Sequence, residues 1–184
     1  MLRTTIFLSL CVMTTTCPAQ ATPSVLPQPH FHAQASDPPW LESVARFHGH
    51  LGPSVVAGAR LGMAGIRAVG AKGYFDVDVT CAGPFAAPPA SCFLDGVQVT
   101  TGATLGKRNL HSANADQIVV RVRNTRTGKT AEVRPTGKLV EILKKVRQSG
   151  KAGGEETHEH HIEQIARDIG AMPDEEILTT ALVR

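Results

Sequence analysis

A helix that must accommodate three glycines constrains the packing of this 184-residue chain more than any other feature. The segment from Pro53 to about Val69 reads as a helix opened by its proline, with Gly58, Gly62 and Gly65 on neighbouring faces. Glycine in a helix interior costs roughly 1 kcal/mol relative to alanine. Something must offset that cost, and close approach of another backbone is the simplest candidate. Two readings stay open: tight packing against a sheet within the chain, or contact with a second copy in a homodimer.

Just before this helix, Phe47-His48-Gly49-His50-Leu51-Gly52-Pro53 sets two imidazoles two residues apart. Residues so spaced do not share a helix face, so the pair needs a bent or extended backbone, which Gly49 and Gly52 permit. A second stretch, Ser91 to Asn109, gathers a thiol (Cys92), a carboxylate (Asp95), an amide (Gln98) and a Gly-Lys pair. Ser91 is a good N-cap residue, which predicts a helix from Cys92 with Cys92 and Asp95 on one face. In a first helical turn, unpaired backbone N–H groups favour the thiolate, the metal-binding form of cysteine. Two neutral imidazoles and one thiolate suit a borderline-soft ion, zinc or another divalent transition metal.

The motifs HGHLGP at 48–53 and SCFLDGVQVTTGATLGKRNL at 91–110 resemble the FmdE family, named after the FmdE component of formylmethanofuran dehydrogenase. The resemblance runs from about Trp40 to the C-terminus. It implies an α+β fold, usually dimeric, that binds a metal through the His-Gly-His region and the cysteine of a Cys-x-x-Asp motif. By that resemblance His48, His50 and Cys92 are the metal ligands, and Asp95 lies close by. Two departures thin the ligand set: many relatives carry cysteine where this chain has Gly52 and Ala103. No cysteine follows Cys92, so the zinc-finger tail of some relatives has no counterpart here.

In chain order, residues 1–21 read as an export signal, with Arg3, an apolar core from Ile6 to Met13 and a small-residue cleavage site at Ala19-Gln20-Ala21. The apolar run is too short to span a bilayer, and Thr14-Thr15-Thr16 before Cys17 lacks the residues of a lipoprotein signal. A periplasmic or secreted protein with no stable membrane anchor after cleavage is the expectation. Residues 22–39 read as a proline-rich linker in which His30 and His32 are solvated.

Residues 40–184 suit a single domain. The expected class is α+β: a small antiparallel sheet packed by helices, with a helical C-terminal tail. Helices are expected over Trp40–Phe47 (capped by Asp37), Pro53–Val69, from Cys92, over Thr136–Gln148, Glu155–Ile169 and Pro173–Leu182. Strands are expected over Phe75–Cys81, with Phe75, Val77 and Val79 inward, and over Gln117–Arg123 and Lys129–Arg134, joined at Thr127-Gly128. Cys81 falls on the core side of its strand and reads as a buried thiol.

Gly102 to Lys107 looks like a phosphate loop but is one residue short, and Arg108 stands where a hydroxyl should meet magnesium. Nucleotide binding is rejected, although Lys107 is a candidate contact for a small anionic ligand. Export and the low aromatic content of 4% argue against nucleic acid. The run His158-Glu159-His160-His161 reads as a solvated helix start, and the basic hairpin as a charged outer face. Three classes of function remain. One is a metal-binding domain for carriage or sensing, and another is a metalloenzyme with Asp95 as general base. The third is an interaction module in which Cys81 and Cys92 form a structural disulfide.

Overall fold

The computed structural model describes residues 26–149 and 155–183. The expected export signal, the first residues of the expected linker and the Gly150–Gly154 break lie outside the described residues. Six helices and five strands alternate along the described chain: α1 (Pro39–His48), α2 (Pro53–Val69), β1 (Val77–Gly83), α3 (Phe93–Thr101), β2 (Leu110–Asn114), β3 (Val119–Asn124), β4 (Thr130–Pro135), α4 (Gly137–Ser149), α5 (Glu155–Ala171), α6 (Asp174–Ile177) and β5 (Leu178–Val183). The strands form one sheet in the order β2-β1-β3-β4-β5. β2 runs parallel to β1, and the remaining pairs are antiparallel. The class is α+β, as expected, with a mixed sheet.

Helix α2 is the central element, and its glycines decide between the two packing readings. A Cβ added at Gly65 would stand 2.5 Å from Val122 Cγ2 on β3, so this face lies directly on the sheet. At Gly58 it would stand 1.9 Å from the carbonyl oxygen of Phe93, and at Gly62 2.4 Å from Thr100 Oγ1. Helix α3 answers with a glycine of its own, since a Cβ at Gly96 would fall 1.8 Å from the carbonyl oxygen of Val55. The helix cost of these glycines is thus offset inside the chain, by backbones that could not otherwise approach. They supply no separate motive for a dimer.

The sheet gives period-2 burial where alternation predicts it. In β1, Val77, Val79 and Cys81 are buried, and in β3 and β4 Val120, Val122, Ala131 and Val133 join them. Phe75 departs from expectation: it sits in a 3-10 turn over Tyr74–Asp76 and is 75% exposed. Gly73 and Tyr74, at φ 86° and 58°, turn the chain there, and β1 starts two residues later than expected. The hairpin closes at Gly128, whose N–H donates to the Asn124 carbonyl (2.8 Å). Its arginines lie outward, Arg134 pairing with Glu132 (2.8 Å) and Arg126 with Asp76 (2.7 Å), as a charged outer face.

The C-terminal end differs from the expected helix over Pro173–Leu182. That helix stops at Ile177, and Leu178–Val183 forms the edge strand β5, pairing Leu178 with Pro135 through Val183 with Thr130. The β-branched and aliphatic Leu-Thr-Thr-Ala-Leu-Val run completes the free edge of β4, which outweighs continuing a short helix.

Arg60 ties this end to α2, a role that its place in the sequence does not signal. Its guanidinium is largely buried and donates to the carbonyls of Ile169 (2.8 Å), Gly170 (2.6 Å) and Met172 (2.6 Å), and to Asp174 (2.7 Å). A cation at these last carbonyls satisfies acceptors that the α5 terminus leaves unpaired. Arg60→Ala should therefore destabilise the fold by about 3 kcal/mol, read by urea unfolding.

Candidate metal centre

The His-Gly-His segment is where α1 ends and α2 begins. Gly49 closes α1 in the left-handed region (φ 96°), and its N–H donates to the Ala45 carbonyl. Gly52 is extended (φ −128°, ψ 154°), and Pro53 opens α2. The bend expected from the spacing is present and turns on Gly49, since an L side chain would strain at that φ. It stacks the two imidazoles at 4.6 Å between ring centroids.

His48 carries the most informative contact. Its Nδ1 lies 2.7 Å from Asp95 Oδ2, and its side chain is only 10% exposed. Its other ring nitrogen, Nε2, is buried and has no hydrogen-bond partner among the described residues. If Asp95 accepts the Nδ1 proton, Nε2 bears a lone pair facing the interior of the site.

Helix α3 delivers Asp95. It starts at Phe93, one residue later than expected, with Cys92 as N-cap and no side-chain capping bond. Ser91 gives its carbonyl to the Leu94 N–H (3.0 Å) instead of capping through its hydroxyl. Phe93 anchors this end: it is buried and stacks on Phe85 at 5.3 Å between centroids. Cys92 is therefore half-buried one turn before Asp95. The expected helix-terminus activation of its thiol is not seen. Burial and then the Asp95 charge push the Cys92 thiol up, against the lowering by a backbone N–H. Cys92 needs a cation to lose its proton.

His50 differs. Burial and the neighbouring His48 imidazole hold it below its ordinary value, while Glu159 and Glu163 act the other way. It is neutral at pH 7, the form that ligates metal. A Cβ at position 52 would stand 3.3 Å from His50 Nε2, so the site at which relatives carry cysteine faces this ring. Cys81 is a free, fully buried thiol in β1, pushed up to about 12 by burial, and Cys92 is also free.

The structure thus brings His48, His50 and Asp95 together with Cys92 on the adjoining helix turn. Lys107 is held at the other end of α3, which over nine residues spans about 13 Å. Its Nζ is 3.4 Å from Thr104 Oγ1 and 5.7 Å from the Phe75 ring centroid. Its loop is closed by Asn109, which accepts from Thr104 N–H and donates to the Tyr74 and Val77 carbonyls.

Sequence reasoning missed a second histidine group beside the first. His30 is not simply solvated: its N–H donates to the Gly49 carbonyl (2.7 Å), and it forms a parallel bridge with His50. The expected linker is docked from His30 onward. Asp37, expected to cap α1, instead binds Arg167 of α5 (2.8 and 3.0 Å), which holds its carboxyl below the ordinary range. Among the described residues, the three metal-binding side chains whose ligand atoms all lie within 4.8 Å of one another are His32, His160 and Glu163. The signal was in the sequence as His30-x-His32 and as His160 and Glu163 three apart, but their juxtaposition is tertiary.

The family model described as "FmdE, Molybdenum formylmethanofuran dehydrogenase operon" matches residues 47–179, a span that holds both motifs. No curated protein sequence matches the chain. The fold is similar to the solved structure of an FmdE-like protein of tungsten formylmethanofuran dehydrogenase from Syntrophus aciditrophicus. The TM-score is 0.55 at 20% identity, over 79% of this chain and 70% of that one. That identity carries the fold alone, while the family match covers most of the chain and both motifs. On that match, the chain belongs to the FmdE family.

Proposed function

We propose that this chain is a metal-binding domain that holds one zinc ion through His48, His50 and Cys92, with Asp95 positioning His48. The observation that carries this reading is the buried, partnerless Nε2 of His48 opposite the Asp95 contact on Nδ1. A buried polar atom left unpaired costs about 1–3 kcal/mol, and a metal ion at Nε2 would relieve it. A carboxylate on the far ring nitrogen is the usual device that fixes tautomer and orientation in a metal-bound histidine. Asp95 is engaged in that task, which makes it a positioning residue in preference to a general base.

His50 would enter as a neutral ligand, and Cys92 would release a proton on binding. Three protein ligands leave a position for water or a bound molecule. A cavity of about 570 Å³ flanks Ser54 and Phe93, with Arg134, Lys144 and Arg147 on its wall. That cavity, in preference to Lys107, is where a small anionic ligand would meet positive charge. The N-terminal pattern of Arg3, an apolar run and Ala19-Gln20-Ala21 supports work outside the cytoplasm, and self-association rests on the family likeness. The name of the solved neighbour speaks of formylmethanofuran dehydrogenase, a likeness that brings no substrate with it.

Elemental analysis of untagged protein tests the reading. Cys92→Ser and His50→Ala should each lose about one equivalent of zinc, and Cys81→Ala should keep it. A Cys92→Ser protein that retains its full zinc content would remove the thiolate from the site and overturn the assignment.

A further inference from the structure

The N-terminal arm and α5 meet through a set of side chains that the site around His48 does not use. His32 on the arm and His160 on α5 lie with ring centroids 4.0 Å apart and planes tilted by 30°. Glu163, one turn on from His160, closes the group, and ligand atoms of all three fall within 4.8 Å of one another. Glu163 is buried (4% exposed), His32 is half-exposed and His160 is exposed, so an ion could enter from solvent and meet a carboxylate within.

The hydrogen bonds of Glu163 leave room for a cation. Its Oε1 accepts from the His32 backbone N–H (3.0 Å) and lies 3.3 Å from His32 Nδ1, and Oε2 accepts from Arg167 Nη1 (3.2 Å). An ionised carboxylate has about four acceptor sites, and these contacts use three. A Nδ1–H held by Glu163 leaves the His32 Nε2 lone pair unprotonated, the state a ligand requires. Two imidazoles and a carboxylate suit zinc, copper, nickel or cobalt, and poorly suit calcium or magnesium.

We infer that His32, His160 and Glu163 form a second site for a divalent transition metal, which latches the N-terminal arm onto α5. The latch lies beside the first centre, because the same arm pairs His30 with His50 and sets His30 Nδ1 3.4 Å from Glu159. An ion here fixes the arm across the His-Gly-His turn. The bond to be made is between chain segments 128 residues apart in sequence, His32 and His160, so binding stabilises a tertiary contact that an exposed histidine pair cannot hold alone.

Zinc titration of the full mature chain, followed by elemental analysis and by hydrogen exchange of residues 28–37, tests the inference independently of the first site. The wild type should take two equivalents, and zinc at about 100 times its dissociation constant should slow exchange through arm opening about 100-fold. His160→Ala, at an exposed position that the fold tolerates, should take one equivalent and show no slowing. Cobalt loading of His160→Ala should still give the thiolate-to-metal absorption of Cys92, and Cys92→Ser should lose that absorption while keeping the zinc-dependent slowing. Loss of the thiolate signal with the latch intact would sink the first site alone. Unchanged stoichiometry in both His160→Ala and His32→Ala, or arm exchange indifferent to zinc, overturns the latch and leaves a stacked histidine pair on a carboxylate.

Discussion

Asp95→Asn should lower zinc affinity by about 10- to 100-fold while leaving the metal-free fold within about 1 kcal/mol of wild type. The amide is nearly the size of the carboxylate, and Asp95 is 42% exposed in its side chain, so little packing is lost. What changes is the group facing His48 Nδ1. A carboxylate accepts one proton there and raises the basicity of Nε2, whereas an amide can present either a carbonyl or an N–H and carries no charge. A chelator-competition titration reads the affinity, and thermal unfolding of the metal-free protein reads the fold. Equal affinity in the two proteins would mean that the 2.7 Å contact with His48 is only a surface ion pair.

Gly96→Ala should destabilise the protein by about 3 kcal/mol or more, among the largest losses for any single methyl in this chain. The new Cβ would lie 1.8 Å from the Val55 carbonyl oxygen and 2.6 Å from the Ala59 nitrogen, both backbone atoms of α2 that cannot turn aside. Relief requires α3 to move off α2, and α3 carries both Cys92 and Asp95. Zinc affinity should therefore fall with stability. Gly106→Ala is the control, since its Cβ would meet nothing nearer than Thr104 Oγ1 at 3.9 Å and should stay within about 0.5 kcal/mol. Urea unfolding of the two variants side by side checks the contrast.

Helix α2 was legible because three signals agreed over its length: Pro53 at the first turn, continuous apolar spacing and Gly70 at its end. The purpose of its glycines was not, because Gly58 and Gly62 are explained by α3, and Gly65 by β3, which only the folded chain brings near. Strand β2 carried no pattern to read, as only Leu110 of its five residues is buried. It exists because β1 offers an edge. The same holds for β5, where Asp174-Glu175-Glu176 announced a helix and the free edge of β4 set its end.

In the site, His48, His50, Cys92 and Asp95 were legible as a set from their spacing and their likeness to a family. Two things were not. The state of the Cys92 thiol depends on burial and on Asp95, both of which oppose the helix-terminus effect that sequence alone suggests. The docking of the arm depends on Arg167, Asp37 and Glu163, charged residues more than a hundred positions apart that pair only in the fold. A histidine in a proline-rich stretch gives no local sign of such partners.

X-ray absorption at the zinc edge of His160→Ala protein carrying one equivalent of zinc tests the central assignment most directly. Removal of the latch leaves the ion at the first centre. The spectrum should show one sulfur at about 2.3 Å from Cys92 and two imidazole nitrogens at about 2.0–2.1 Å from His48 and His50, with any remaining ligand a light atom. A shell of nitrogen and oxygen alone, or a protein that takes up no zinc, would contradict it.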